Sequence, residues 1–207
     1  MQLFITGIGT EIGKTVVSAI LTEYLQADYW KPVQSGDLHW TDTMKVQSLI
    51  SNTKSVFHPE RHRLNAPLSP HASAALDGVQ IELSDFTLPQ TSNHLIVEGA
   101  GGLMVPLNDQ DIMLDLIQQI QIPVILVSRN YLGSINHTIL SIEALQHRQI
   151  SIAGIVFNGE PNSATETFIE KYSQLPVLFR VGDLPEISPK VISKFIKEMN
   201  IDSLKFF

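Results

Sequence analysis

Short apolar runs rich in β-branched residues alternate along this chain with stretches whose apolar positions recur every three or four residues. The first kind predicts strands at Gln2–Thr6, Tyr29–Pro32, His94–Val97, Pro123–Val127, Ile152–Phe157 and Val177–Arg180. The second predicts helices at Lys14–Gln26, Asp42–Ser51, Pro70–Leu76, Asp111–Gln121, Ser134–Gln146, Ser163–Tyr172 and Pro189–Met199. Runs such as Val124-Ile125-Leu126-Val127 are apolar throughout rather than alternating, which suits strands covered by helices on both faces. Strand following helix in this way predicts a doubly wound, mostly parallel α/β sheet forming a single domain over residues 1–207. The segment His58–Pro70 holds three prolines and reads as one irregular loop. Near the C-terminus Val191, Ile192, Phe195, Ile196 and Met199 share a helix face, with Lys190, Lys194 and Lys197 elsewhere. That pattern predicts a helix docked on the sheet.

In such sheets ligands bind beyond the carboxyl ends of the strands, so the residues following each strand carry the chemistry. After the first strand comes Gly7-Ile8-Gly9-Thr10-Glu11-Ile12-Gly13-Lys14-Thr15, leading into a helix. Strand, glycine-rich turn, Gly-Lys-Thr and helix together are the context of a phosphate-binding P-loop. Inward-facing N–H groups form an anion nest, and the helix start adds its positive end. Lys14 reaches toward the outer phosphates and the Thr15 hydroxyl can ligate Mg²⁺. The common motif has its first glycine where this chain has Ile8; here the glycine is Gly7, so the loop is one residue longer.

Other strand ends are as polar. Glu98 closes an apolar strand and enters Gly99-Ala100-Gly101-Gly102, where a carboxylate can bind Mg²⁺ directly or through water. Lys31 ends the second strand before Pro32-Val33-Gln34-Ser35-Gly36, and its position leaves solvation and function equally open. Asp42, at a predicted helix start, reads by itself as an N-cap. Gly133-Ser134 precedes a helical pattern and offers free N–H groups to a carboxylate or phosphate. The later strands end in Asn158-Gly159 and Gly182-Asp183-Leu184-Pro185, and all six ends together suggest one extended site. His58 and His62 have metal-ligand spacing, but Pro59 between them and the lack of a helical pattern argue against that use.

Composition narrows the class. Hydrophobic residues make up 43% and charged residues 17% of 207 residues, ordinary for a globular domain. The net charge of −7 does not favour nucleic acid. There is no cysteine, hence no disulfide framework and no cysteine zinc site. No basic-plus-apolar leader and no apolar run of membrane-spanning length stand out, so the expectation is a cytoplasmic protein without membrane association.

Taken in order, these segments resemble dethiobiotin synthetases over nearly the whole chain. The resemblance rests on the lengthened loop Gly7–Thr15, Lys31-Pro32-Val33-Gln34-Ser35-Gly36, Asp42, Ser69-Pro70-His71, Val97-Glu98-Gly99-Ala100-Gly101-Gly102, Leu132-Gly133-Ser134-Ile135-Asn136-His137 and Asn158. Gly9 departs from it, since many members carry Asp there. The resemblance implies a P-loop nucleoside triphosphate hydrolase-like fold. It implies an ATP- and Mg²⁺-dependent ligase of biotin biosynthesis that converts 7,8-diaminononanoate and CO₂ to the cyclic urea through a carbamate and its phosphoric anhydride. Catalytic roles then fall on Lys14, Lys31 and Thr10, and Mg²⁺ on Thr15, Asp42 and Glu98, which reverses the capping reading of Asp42. ATP is assigned to Glu11, Ile12, Gly13, Lys14, Thr15, Val16, Gly99, Ala100 and Gly101, with adenine read by Asn158 and Gly159 and more weakly by Pro185, Glu186 and Ile187. Thr10, Lys31 and Ser35 hold the carbamate. Gly133, Ser134, Ile135 and Asn136 of a neighbouring subunit hold the substrate carboxylate, which implies a homodimer. The competing class is a nucleotide-switch ATPase of the same fold that binds a partner protein or membrane. Its extra lysine early in the loop is missing here, and the basic amphipathic tail alone favours it.

Overall fold

A computed structural model describes residues 1–184 and 186–199. Its elements in chain order are β1 (Gln2–Gly7), α1 (Lys14–Leu25), β2 (Asp28–Trp30), β3 (Val33–Ser35), α2 (Asp42–Leu49), β4 (Phe57–His58), β5 (His62–Leu64) and α3 (Pro70–Asp77). A single 3₁₀ turn, Leu83–Asp85, follows. The chain continues through β6 (Leu95–Glu98), α4 (Met113–Ile120), β7 (Val124–Arg129), α5 (Ser134–His147), β8 (Ile152–Asn158), α6 (Ser163–Ser173), β9 (Val177–Val181) and α7 (Pro189–Glu198).

The main sheet has the order β4-β2-β6-β1-β7-β8-β9, and every pairing in it is parallel. Side chains of β1 alternate between its faces. Leu3 and Ile5 pack with Val17, Ile20 and Leu21 of α1 and with Ile192 of α7. Phe4 packs with Leu116 and Ile117 of α4 and Leu145 of α5. Val124 to Val127 are all fully buried, as a strand sandwiched between helix layers requires. The tail helix is docked: Ile192 is fully buried and the Phe195 ring meets Phe179 edge-on, with centroids 6.3 Å apart.

The expected strands are present, but the loop expected over His58–Pro70 is partly ordered. His62–Leu64 forms a strand that pairs in parallel with Val33–Ser35 in a separate two-stranded sheet. This small sheet, with α3 behind it, walls one side of the region above β2. The strand expected at Tyr29–Pro32 ends at Trp30, because Pro32 has no N–H for a ladder. The two tempting histidines serve different partners. His58 Nε2 lies 3.4 Å from Asp28 Oδ2, and His62 Nε2 lies 3.0 Å from Asp85 Oδ2. Among the described residues no group of three or more His, Cys, Asp or Glu is arranged to hold a metal.

Register decides which strand ends meet. β6 lies between β2 and β1, with Trp30 opposite Val97 and Ile5 opposite Glu98. The residue after Trp30 is Lys31, and the loop after β1 is the P-loop. Glu98 is therefore flanked by Lys31 on one side and by the glycine loop on the other.

Candidate active site

The P-loop takes its course from three glycines with different physical roles. Gly13 has φ of 94°, and a Cβ there would stand 2.2 Å from Asn158 Nδ2. Both the left-handed backbone and the close approach demand glycine. A Cβ on Gly7 would meet Ile12 Cδ1 at 2.2 Å, so the early glycine lets the loop fold over Ile12. At Gly9 nothing lies within 4 Å of a built Cβ. A side chain such as Asp fits there without disturbing the loop.

Above β1, β2 and β6 opens a cleft of about 810 Å³. Thr10, Glu11, Gly13, Lys14, Thr15 and Val16 line it from the P-loop side. Lys31, Ser35 and Asp42 line the opposite side, with Glu98, Ala100 and Gly101 at the floor. Ile12 and Gly99, also expected at the nucleotide, are buried beneath the loop backbone.

At the centre of the cleft is a chain of buried charges. The Lys31 ammonium is 2.8 Å from Asp42 Oδ2 and 3.2 Å from Glu98 Oε1. Thr15 donates its hydroxyl to the same Glu98 oxygen at 3.0 Å. Lys31 and Glu98 are 3% and 1% exposed, so this is a desolvated cluster rather than a surface pair. Burial by itself would lower the pKa of Lys31, but the charges of Glu98 and Asp42 outweigh it and raise the pKa. Burial raises the Asp42 carboxyl, but the charges and hydrogen bonds of Lys31 and Lys45 together outweigh it and bring it to about 2. Lys14 differs. Its ammonium donates to the Gly9 carbonyl at 2.7 Å, and burial together with the Lys31 charge lowers its pKa to about 8.

Asp42 is not the helix cap that its position suggests. Thr41 caps α2 by accepting from Met44 N, and Asp42, the first helical residue, pairs with Lys31 and with Lys45 at 3.0 Å. Two residues of this cluster were not named as site residues from the sequence. Tyr29 donates its hydroxyl to Glu98 Oε2 at 2.9 Å, and burial followed by the Glu98 charge raises its pKa well above the ordinary phenol value. Gln34 accepts from Asp42 N at 3.1 Å and donates to the Gly36 carbonyl at 3.0 Å, which ties the loop after β3 to the start of α2. Its place in the Lys-Pro-Val-Gln-Ser-Gly segment was the only hint. Ser35 presents a shielded hydroxyl that has no hydrogen-bond partner among the described residues.

The six strand ends do not form one cleft. Those of β7 and β8 lie on the far side of the P-loop and brace its backbone: Arg129 donates to the Glu11 carbonyl at 3.3 Å, and Asn158 donates to the Ile12 carbonyl at 2.9 Å. Gly159 is buried, its N–H donating to the Val181 carbonyl at 2.8 Å. Glu186 and Ile187 are exposed and outside the cleft, and Pro185 lies outside the described residues. The start of α5 is also outside it: Ser134 is buried, whereas Gly133, Ile135 and Asn136 face solvent, and no side chain caps the helix.

Comparison with known proteins sharpens this picture. A family model described as an AAA domain matches residues 1–191. The chain is 50% identical over 195 residues to the ATP-dependent dethiobiotin synthetase of Christiangramia forsetii, covering 94% of each chain. It is 46% identical over 202 residues to that of Brucella ovis, covering 97% of this chain and 95% of the relative. The chain belongs to the dethiobiotin synthetase family. Family membership fits the lengthened loop and the open space at Gly9. Among solved structures, a chain of the MinC:MinD cell division protein complex of Aquifex aeolicus aligns with a TM-score of 0.57 at 10% identity, covering 99% of this chain and 94% of that one. A ParA family ATPase from Chlorobium tepidum gives 0.52 at 13%, covering 99% and 92%. At such identities these likenesses speak for the P-loop ATPase fold alone.

Proposed function

We propose that this protein carboxylates 7,8-diaminononanoate with CO₂ and closes the cyclic urea of dethiobiotin at the expense of ATP. The observation that carries the reading is the pair of buried ammonium groups, Lys14 at the start of α1 and Lys31 just after β2, flanking Glu98 inside one cleft large enough for a nucleotide and an acceptor. A carbamate oxygen is a weak nucleophile with a dispersed charge. The protein needs to place it in line with the γ-phosphate and neutralise charge, not to supply a nucleophile of its own. Lys14 is placed to balance the transferring phosphoryl group, and Lys31 the carbamate. Thr10 and the unpaired Ser35 hydroxyl offer hydrogen bonds to the carbamate. The carbamate oxygen attacks the γ-phosphorus and ADP leaves. The second amine then attacks the carbonyl carbon, and phosphate departs carrying the former carbamate oxygen.

Thr15, Asp42 and Glu98 fit Mg²⁺ in their chemistry. All are hard oxygen donors, and the Lys31 ammonium between Asp42 and Glu98 marks a position where a cation is stabilised. When bound, Mg²⁺ would offset the phosphate charge. Asn158 and Gly159, with the segment around Pro185–Ile187, are assigned the adenine side. The nucleotide-switch alternative is not favoured. No described helix is long and apolar enough to cross a membrane, and the basic tail helix uses its apolar face to pack on the sheet.

Phosphate release measured with each component omitted tests this reading. Release is expected only when diamine, bicarbonate, ATP and Mg²⁺ are all present. Equal ATP hydrolysis without the diamine would contradict it.

We also propose that the protein acts as a homodimer with shared sites. Leu132 is fully exposed, and Tyr131, Ile135 and Leu140 are each more than a third exposed around the start of α5. That apolar surface surrounds uncapped N–H groups suited to a carboxylate. Asn136→Ala is expected to weaken diamine binding and leave ATP binding unchanged in titration calorimetry. Mixed dimers of Lys14→Ala and Asn136→Ala subunits are expected to recover activity above either parent. No recovery after proven subunit exchange would exclude a shared site.

A further inference from the structure

The two oxygens of Glu98 have different surroundings. Oε1 faces the cleft, where Thr15 donates to it at 3.0 Å and Lys31 lies 3.2 Å away. Oε2 points back into the core and accepts the Tyr29 hydroxyl at 2.9 Å. Tyr29 is fully buried, and its ring packs against Phe57 with centroids 5.9 Å apart. A phenylalanine would fill that space and make the same ring contact, so packing leaves the hydroxyl unexplained. Among the described residues its one hydrogen-bond partner is the carboxylate that closes β6. The β2–β6 register, with Tyr29 opposite Ile96, puts residues 29, 31, 96 and 98 on the same face of the sheet.

We propose that Tyr29 is a positioning residue that reserves one oxygen of Glu98, so that the carboxylate offers a divalent cation a single oxygen and the site selects Mg²⁺ over Ca²⁺. This rests on the assignment of Glu98 to the metal site. Mg²⁺ is small, keeps near-octahedral geometry and is satisfied by single carboxylate oxygens and water. Ca²⁺ takes six to eight oxygens and readily uses both oxygens of one carboxylate. For Glu98 to turn both oxygens to the cleft, the Tyr29 hydroxyl must lose its acceptor inside the core, where an unsatisfied donor is strongly disfavoured. The phenol thus opposes the coordination that Ca²⁺ prefers and leaves that of Mg²⁺ untouched.

The test is competition for bound Mn²⁺, followed by electron paramagnetic resonance, in protein saturated with ADP so that no turnover occurs. Mg²⁺ and Ca²⁺ are titrated against wild type, Tyr29→Phe and Glu98→Gln. In Tyr29→Phe the preference for Mg²⁺ over Ca²⁺ is expected to fall on the order of 10-fold, mainly through tighter Ca²⁺ binding. Glu98→Gln is expected to bind Mn²⁺ more weakly. An unchanged preference in Tyr29→Phe, with Mn²⁺ binding weakened in Glu98→Gln, overturns the proposal alone. Undiminished Mn²⁺ binding in Glu98→Gln overturns the metal assignment and the proposal with it. Infrared difference spectra of the wild type make the test independent of how well Tyr29→Phe folds. With Ca²⁺ bound, the Glu98 carboxylate bands, identified by their loss in Glu98→Gln, should keep the wide separation of a carboxylate that does not chelate through both oxygens. The narrow separation of a two-oxygen ligand would overturn the proposal.

Discussion

Replacing Lys14 with alanine is expected to lower kcat/KM on the order of 10²-fold or more, because it removes preorganised positive charge from the transferring phosphoryl group. Replacing Lys14 with methionine instead should not cost stability. Lys14 is buried, and burial followed by the Lys31 charge lowers its pKa to about 8. Removing a desolvated charge that the fold holds at a cost leaves the melting temperature unchanged or higher, provided the aliphatic stem is kept, as in Lys14→Met. The lowered pKa also sets a pH dependence. Below pH 8 the side chain is charged and attracts phosphates; as pH rises through about 8 it loses its proton in the empty site. ATP binding by wild type should therefore weaken across that range, and the step should be missing in Lys14→Met. Calorimetric titration at several pH values checks this. A step that survives in Lys14→Met would assign the titration to another group.

Lys31→Met should behave in the opposite way. Glu98 is 1% exposed, and with Lys31 gone its charge and most of that of Asp42 lose their buried partner. Breaking such a pair from one side costs about 3 kcal/mol, so thermal unfolding in chelator should shift markedly downward. A divalent cation placed between the same carboxylates would replace the missing charge. Mg²⁺ should accordingly raise the melting temperature of Lys31→Met more than that of wild type. Diamine turnover should collapse while ATP binding is largely kept, since Lys31 is assigned to the carbamate. Equal losses of ATP affinity and turnover would move Lys31 to the nucleotide.

The contrast between these two lysines marks what was legible in the sequence. Lys14 announces itself through its glycines and the flanking strand and helix. Lys31 is a lone lysine before a proline, and its burial depends on a long-range fact, the placement of β6 between β2 and β1. That same register hides Tyr29, which reads as ordinary strand filler until Ile96 is known to stand opposite it. The five strands of four or more residues, β1, β6, β7, β8 and β9, were legible because each is a mostly apolar and mostly buried run. β3, β4 and β5 are two or three residues long and include Gln34, His58, His62 and Arg63, so neighbouring strands and not local pattern bring them into pairing. Asp42 occupies the position where aspartate most often caps, and only the Thr41 hydroxyl bond to Met44 shows that the cap lies one residue earlier. Asn158 was assigned to adenine through the family resemblance; in the structure its amide fastens the P-loop through the Ile12 carbonyl.

The central claim is that the phosphoryl acceptor is a carbamate oxygen derived from CO₂. Its direct test is a short reaction with diamine, ATP, Mg²⁺ and CO₂ labelled with carbon-13 and oxygen-18, followed by mass analysis of the phosphate and the urea product. The account predicts one labelled oxygen in each phosphate formed and the CO₂ carbon in the urea product. Phosphate that takes its new oxygen from water, with no CO₂ carbon in the product, would contradict it.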